Sequence, residues 1–113
     1  MKTGLKGSFG ESIAKNYLIN KGYLIIEQNF KTKFGEIDII AKCEDYIVFV
    51  EVKTRKNANY GYPCEFVDRR KQRRIIKTYE IYMVSHKLNL QCRYDVIEIY
   101  LDKRRINHLI NAF

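Results

Sequence analysis

The 113-residue sequence contains few residues that interrupt regular structure, with six glycines, one proline and no repeat. Together with a hydrophobic content of 46%, this composition excludes a disordered or collagen-like chain. No apolar run approaches the roughly 18 residues of a membrane span, and the start MKTGLKGSFGES lacks the apolar centre of a signal peptide. We therefore expect one soluble cytoplasmic domain over residues 1–113, with no membrane partner.

Cysteine is also scarce. The three cysteines, Cys43, Cys64 and Cys92, are odd in number and lie at spacings that match no zinc-binding pattern. We expect free thiols in a reducing compartment. A chain of this size buries about two thirds of its unfolded surface, which suffices for a core without disulfide or metal staples.

Charge is unbalanced, with 21 basic and 13 acidic residues, a formal net charge of +8 and a pI near 9.4. Such an excess draws a protein toward polyanions, either nucleic acid or an anionic membrane surface. The alternative is a basic but inert surface. The positions of the acidic residues distinguish these two alternatives. Several of them lie inside apolar segments, where a carboxylate is costly unless it is paired or bound to a metal.

Hydrophobic periodicity predicts an α/β chain of order α-β-β-β-α-β, in which a small mixed sheet has helices packed against it. The nine C-terminal residues RINHLINAF are ambiguous and slightly favour a short edge strand. The predicted elements are a helix over residues 8–20, strands over 23–30, 36–43 and 46–54, a loop over 55–65, a helix over 68–86 and a strand over 93–101.

Two carboxylates fall opposite each other if the second and third strands form a tight hairpin. A symmetric two-residue turn inside residues 43–46 places Asp38 across from Glu51 and Glu36 across from Lys53. Opposed residues share a face, with Cβ atoms about 4.5–5.5 Å apart, and like charges there destabilise a sheet unless something positive lies between them. A divalent cation with oxygen ligands meets that need. A three-residue loop would shift the register and remove the arrangement.

A third acid, Glu11, lies at the edge of the apolar stripe of the first helix and leans toward the core. The alternative for Glu51 and Lys53 is a solvated salt-bridging face, because Glu-x-Lys is common by chance on strands. The continuous apolar run IVFV before Glu51 predicts a central strand covered on both faces. That buried setting, with Asp38 opposed and Glu11 nearby, favours a catalytic site.

These residues carry a resemblance to known families. GEIDIIA at residues 35–41 followed by FVEVKTR at residues 49–55 resembles the PD-(D/E)XK nuclease signature, in which an acid on one strand precedes Glu-x-Lys on the next. Ile37 precedes Asp38 where the signature has proline, which is ordinary in this superfamily. Nearly the whole chain resembles the YraN-like family of uncharacterised bacterial proteins, through GSFGESIAKNYLINKGY, NFKTKFGEIDIIA, FVEVKTR, YGYP and RYDVIEI in order.

The resemblance implies a restriction-endonuclease-like fold and a site that binds Mg²⁺ or Mn²⁺. It implies Asp38 and Glu51 as metal ligands, with the backbone carbonyl of Val52 as a third and Glu11 as an outer ligand or water anchor. It implies that Lys53 orients or deprotonates the attacking water, or stabilises charge on the phosphate. The chemistry agrees, because phosphodiester hydrolysis requires activation of water and neutralisation of charge on phosphorus.

Five further residues are candidates for contacts with nucleic acid. Arg55 and Lys56 follow the Glu-x-Lys motif directly and are placed to hold phosphates. Tyr60 and Tyr62 lie in the adjoining loop and are candidates for stacking on an unpaired base, although loop tyrosines often only pack. Lys71 borders the apolar stripe of the second helix and points toward the site, whereas the other basic residues of that helix form a solvated face.

We therefore expect a metal-dependent nuclease that acts on nucleic acid, DNA rather than RNA, on branched or single-stranded forms. Relatives in fold that cut DNA junctions act as dimers, so the homodimer is one of the oligomeric states that we consider for this chain. One alternative is a nucleic-acid-binding module of the same fold with little activity of its own, working in a larger complex. Another is a protein-interaction domain with a vestigial site, which predicts neither metal binding nor salt-sensitive DNA binding.

Overall fold

The computed structural model describes residues 5–55 and 68–113, which form two α-helices and five β-strands. Every predicted helix and strand is present, and the C-terminal tail forms the short edge strand that the sequence slightly favours. The elements are α1 (Leu5–Asn20), β1 (Leu24–Thr32), β2 (Gly35–Cys43), β3 (Tyr46–Arg55), α2 (Arg69–Ser85), β4 (Gln91–Tyr100) and β5 (Arg105–Leu109).

The five strands form one mixed sheet in the spatial order β1-β2-β3-β4-β5. β3 and β4 are parallel, and the other neighbouring pairs are antiparallel. Parallel neighbours need a crossover connection, and α2 belongs to the connection between β3 and β4. This architecture is consistent with the predicted restriction-endonuclease-like α/β core.

The helices cover opposite faces of the sheet. α1 packs Ala14 and Leu18 against one face, together with Val48, Val50 and Ile97. α2 packs Ile75 and Tyr82 against the other face, together with Ile47, Phe49 and Tyr94. Residues 47–50 of β3 are at most 1% exposed, which confirms that β3 is a central strand covered on both faces.

The hairpin between β2 and β3 has the predicted register. Cys43 pairs with Tyr46 across a two-residue turn, and the ladder continues to the pair Ile39–Val50, where it ends. The predicted pairs Asp38–Glu51 and Glu36–Lys53 therefore lie beyond the end of the ladder and are not part of it.

The second helix begins at an Asp68 N-cap, in agreement with the predicted start at residue 68. Its carboxylate accepts a hydrogen bond from the backbone N–H of Lys71 (2.9 Å), and the helix ends at His86. Cys43 and Cys92 are free thiols, as predicted, and Cys64 lies outside the described residues. Over residues 5–55 and 68–113, neither helix has the length and apolar character needed to cross a membrane.

Candidate active site

A cavity of about 260 Å³ lies between α2 and the middle strands of the sheet. Its walls bring together three of the residues that the sequence predicts for the site: Asp38 from β2, Glu51 from β3 and Lys71 from α2. The other polar residues of the lining are Glu36 from β2, Arg74 and Thr78 from α2, and Tyr94 from β4. Acids on the sheet therefore face bases on the helix across one small space.

Asp38 lies where β2 and β3 cease to pair. Its Oδ2 accepts a hydrogen bond from the backbone N–H of Val52 at 2.8 Å, so the side chain takes the place of a ladder hydrogen bond. In a strand the N–H and C=O of one residue point toward the same neighbouring strand. The carbonyl of Val52 therefore also faces β2, on the side of Asp38.

Glu51 is held by groups from two other elements. The hydroxyl of Tyr94 donates a short hydrogen bond to its Oε1. The ammonium of Lys71 lies 3.6 Å from its Oε2, and the Glu51 side chain is 26% exposed. Burial raises the pKa of the Tyr94 phenol well above its usual range, and the charge of Glu51 raises it further. Tyr94 is therefore a permanent hydrogen-bond donor that fixes one oxygen of the carboxylate.

The basic wall follows from helical geometry. Lys71 stands in the first turn of α2, and Arg74 and Thr78 follow at spacings of three and four residues, which put all three on one face. Lys71 reaches Glu51 across the cavity, as its contact with Oε2 shows. Arg74 was predicted to lie on a purely solvated face. It is exposed, but it also lines the cavity, because the lining face of α2 is wider than the apolar stripe suggests.

Two of the predicted catalytic residues, Glu11 and Lys53, lie outside the cavity lining. Glu11 is only 7% exposed, as predicted, but it belongs to α1, which covers the opposite face of the sheet. Lys53 is half-buried, two residues beyond Glu51, and alternation places it on the same face of β3. Across the parallel pair of strands its register neighbour is Glu98.

Arg55 points its guanidinium group at a buried acid. Its Nη2 lies 3.4 Å from Oε2 of Glu98, a side chain with no exposed surface. Glu98 also accepts hydrogen bonds from the hydroxyl of Tyr100 (3.2 Å) and from Nδ2 of Asn107 (2.9 Å). Sequence analysis missed Glu98, although an acid inside the apolar strand VIEIY was an available signal. The other candidates for nucleic-acid contacts, Lys56, Tyr60 and Tyr62, lie outside the described residues.

A second polar cluster lies on the α1 face of β4, away from the cavity. Asp95 pairs with Arg93, with distances of 3.0 and 2.9 Å. Asp95 also accepts hydrogen bonds from Nε2 of His108 (2.7 Å) and from the backbone N–H of Asn111 (3.0 Å). Burial alone would raise the pKa of Asp95, but the His108, Arg93 and Asn111 donors together lower it.

The donor set of the cavity suits a hard divalent cation. In the part of the chain that the structure describes, no group of three or more His, Cys, Asp and Glu side chains is arranged to hold a metal. Three acids line the cavity, the exposed Glu36 and the two predicted ligands Asp38 and Glu51, and strand geometry directs the Val52 carbonyl toward β2. Mg²⁺ is commonly bound by one or two carboxylates and completes its octahedron with water and substrate phosphates. The residues present therefore fit such an ion.

Comparison with known proteins gives the following matches. A family model described as "Uncharacterised protein family UPF0102" matches residues 10–99. A UPF0102 protein of Clostridioides difficile is 54% identical over 109 residues, which cover 96% of this chain and 96% of that protein. A UPF0102 protein of Caldanaerobacter subterraneus subsp. tengcongensis is 50% identical, covering 95% and 93%. One from Clostridium botulinum strain 657 is 48% identical, covering 95% and 92%. The matched region includes both walls of the cavity.

Proposed function

The chain belongs to the uncharacterised protein family UPF0102, and we propose that it is a Mg²⁺- or Mn²⁺-dependent nuclease that hydrolyses phosphodiester bonds, with DNA favoured over RNA. One observation carries the proposal: two carboxylates, Asp38 and Glu51, share a cavity with two bases, Lys71 and Arg74. Hydrolysis at phosphorus needs oxygen ligands for a cation and positive groups for the phosphate, side by side.

The carboxylates of Asp38 and Glu51 and the carbonyl of Val52 would hold the cation. When bound, a divalent cation lowers the pKa of a coordinated water and neutralises charge on the phosphate. Tyr94 keeps Glu51 in place through the hydrogen bond to Oε1, which leaves Oε2 directed at Lys71. That second oxygen has to exchange Lys71 for the cation when the cation binds.

The contact between Lys71 and Glu51 is easily exchanged. The side chain of Lys71 is 48% exposed, and an exposed ion pair contributes only about 0–1 kcal/mol. Lys71 is therefore free to turn from the carboxylate to a phosphate oxygen at little cost. Lys53, on the same face of β3 as Glu51, is our candidate for orienting or deprotonating the water. Glu11 belongs to α1 on the opposite face of the sheet and has no role in this arrangement.

The net charge of +8 supports binding of a polyanion. Neutralising about four to six phosphates gives a log–log salt slope near −4 to −5 on duplex DNA. Lys71 and Arg74 supply two of these contacts beside the carboxylates.

The proposal is tested with fluorescently labelled single-stranded, duplex and branched DNA in Mg²⁺, Mn²⁺ or EDTA. Cleavage is expected with either metal, and it should be absent in EDTA and in the isosteric variants Asp38→Asn and Glu51→Gln. Glu44→Gln is the matched control, because it removes the same charge from an exposed turn at the other end of the hairpin. Cleavage that persists unchanged in Glu51→Gln comes from a contaminant and refutes the proposal.

A second candidate is a nucleic-acid-binding module with little activity of its own, working in a larger complex. It is favoured by the internal contacts of the acids: Tyr94 and Lys71 engage both oxygens of Glu51, and Val52 engages Asp38. Carboxylates that make these contacts within the protein can have a purely structural role. The same assay separates the two functions, because the module binds DNA with steep salt dependence and cleaves none of the substrates with either metal.

A further inference from the structure

An aromatic ring stands at the mouth of the cavity. Phe34 belongs to the turn between β1 and β2, where it is half-buried and lines the cavity that holds Asp38 and Glu51. It also lines an open groove of about 500 Å³ that runs beside α2. A strand whose phosphate enters the cavity therefore passes this ring on its way into the groove.

The turn that carries the ring is tied to α2. Oγ1 of Thr32 accepts a hydrogen bond from the backbone N–H of Phe34 (3.0 Å) and lies 3.4 Å from Oγ1 of Thr78. The Thr78 hydroxyl in turn donates to the backbone carbonyl of Arg74 (2.9 Å). The position of Phe34 is thus set by both the sheet and the helix that form the cavity, which preorganises the ring for a ligand.

Two lysines lie over the ring, so a stacked base takes the place of at least one ammonium group there. Nζ of Lys33 lies 5.3 Å from the centroid of Phe34, and Nζ of Lys77 lies 5.0 Å from it. Both ammonium groups are close enough to contact phosphates that adjoin a base stacked on the ring. Basic grooves that contain aromatic side chains are the usual construction of single-strand binding sites.

We propose that Phe34, with Lys33 and Lys77, is a stacking platform for an unpaired nucleobase, so that the substrate is single-stranded or frayed nucleic acid. This inference rests on the proposed function, because it needs a nucleic-acid backbone in the cavity. A base inside a duplex already stacks on its neighbours, and only an unpaired base offers a free face to the ring.

The chain contains no tryptophan, so Phe34→Trp introduces a single fluorescent reporter at the platform. The variant is titrated in EDTA with a thymidine oligonucleotide and with an abasic strand of the same length. We expect saturable quenching by the first and none by the second, because the two share phosphates but not bases. Phe9→Trp is the control: Phe9 is 58% exposed on α1 and lines a pocket with Arg104 and Arg105. It should show no quenching by either strand.

Affinity measurements on other variants test the platform without the reporter. Phe34→Leu keeps apolar bulk but has no π face, so single-strand affinity should fall by about fivefold or more. Phe34→Tyr should bind the single strand like the wild type, and duplex affinity should stay within about twofold in both variants. Equal single-strand affinity of Phe34→Leu and the wild type overturns the inference, as does equal quenching of Phe34→Trp by the abasic strand. If the wild type binds no DNA of any form, the proposed function fails and this inference fails with it.

Discussion

Replacement of Asp95 by asparagine tests whether the buried cluster on the α1 face of β4 holds the fold together. The Asp95 carboxylate is fully buried and accepts four hydrogen bonds, two from Arg93, one from His108 and one from the backbone of Asn111. A carboxylate only accepts, so His108 donates through Nε2–H, and its Nδ1 lies 3.1 Å from the hydroxyl of Tyr17. The cluster joins α1, β4, β5 and the C-terminal turn.

The size of the effect follows from this geometry. The asparagine amide would turn an N–H₂ group toward hydrogen-bond donors that need an acceptor. The substitution also removes the counter-charge of Arg93, whose side chain is only 14% exposed. Removing one partner of a buried pair costs about 3–5 kcal/mol. We therefore expect Asp95→Asn to lower the free energy of unfolding by about that amount, measured by urea denaturation at pH 7. Asp45→Asn, in the exposed hairpin turn, is the control and should stay within about 0.5 kcal/mol.

The pH dependence gives the same experiment a second readout. Because the folded-state pKa of Asp95 lies below its ordinary value of 3.8, its stabilisation is complete above that value and is lost as the pH falls through the folded-state pKa. The part of the difference in unfolding free energy between wild type and Asp95→Asn that comes from the Asp95 charge should therefore be present at about pH 5 and shrink in stronger acid. A loss below about 1 kcal/mol at pH 7, or a difference that does not shrink in acid, refutes the reasoning.

Three smaller predictions concern the site and its support. Tyr94→Phe removes the donor to Glu51 and should lower the free energy of unfolding by about 1.5–3 kcal/mol in urea denaturation. Lys71→Gln removes the ammonium group that competes with a metal ion for Glu51, so it should tighten Mn²⁺ binding by up to about fivefold in calorimetric titration. The same variant should make the salt slope of DNA binding shallower by about one unit. Gly10→Ala would bring a Cβ to 2.1 Å from Oγ1 of Thr54 and should destabilise the wild type by about 1–2 kcal/mol. In a Thr54→Ala background the same change should stabilise by up to about 1 kcal/mol in thermal melts, since alanine is the better helix former.

Much of the fold could be predicted because its determinants are local. The apolar run ahead of Glu51 predicts a central strand, and the register of the hairpin follows from its two-residue turn, which brings β2 and β3 together correctly as far as Ile39–Val50. The ladder ends one step before Asp38 and Glu51, because the side chain of Asp38 takes the Val52 N–H that a backbone carbonyl would otherwise bind. A local sequence pattern does not predict that a side-chain carboxylate takes the place of a backbone carbonyl as the hydrogen-bond acceptor.

The parts that could not be predicted depend on pairing between distant segments. Tyr94 reaches Glu51 only because β4 lies parallel to β3, in a register that pairs Glu51 with Val96. His108 meets Asp95 because β5 folds back on β4. In the sequence, His108 is an isolated histidine and Tyr94 is one aromatic in an apolar strand. Their roles arise from the sheet order, which periodicity does not fix.

Anomalous diffraction from a crystal soaked in Mn²⁺ tests the central claim most directly, because it needs no substrate and no assumption about cleavage. We expect one strong peak within coordination distance of both the Asp38 and Glu51 carboxylates, with Lys71 moved away from Oε2 of Glu51. We expect no peak there in a crystal of Glu51→Gln soaked in the same way. A wild-type crystal at saturating Mn²⁺ that shows no peak in this cavity, and keeps Lys71 against Glu51, would contradict the metal site and the nuclease function built on it.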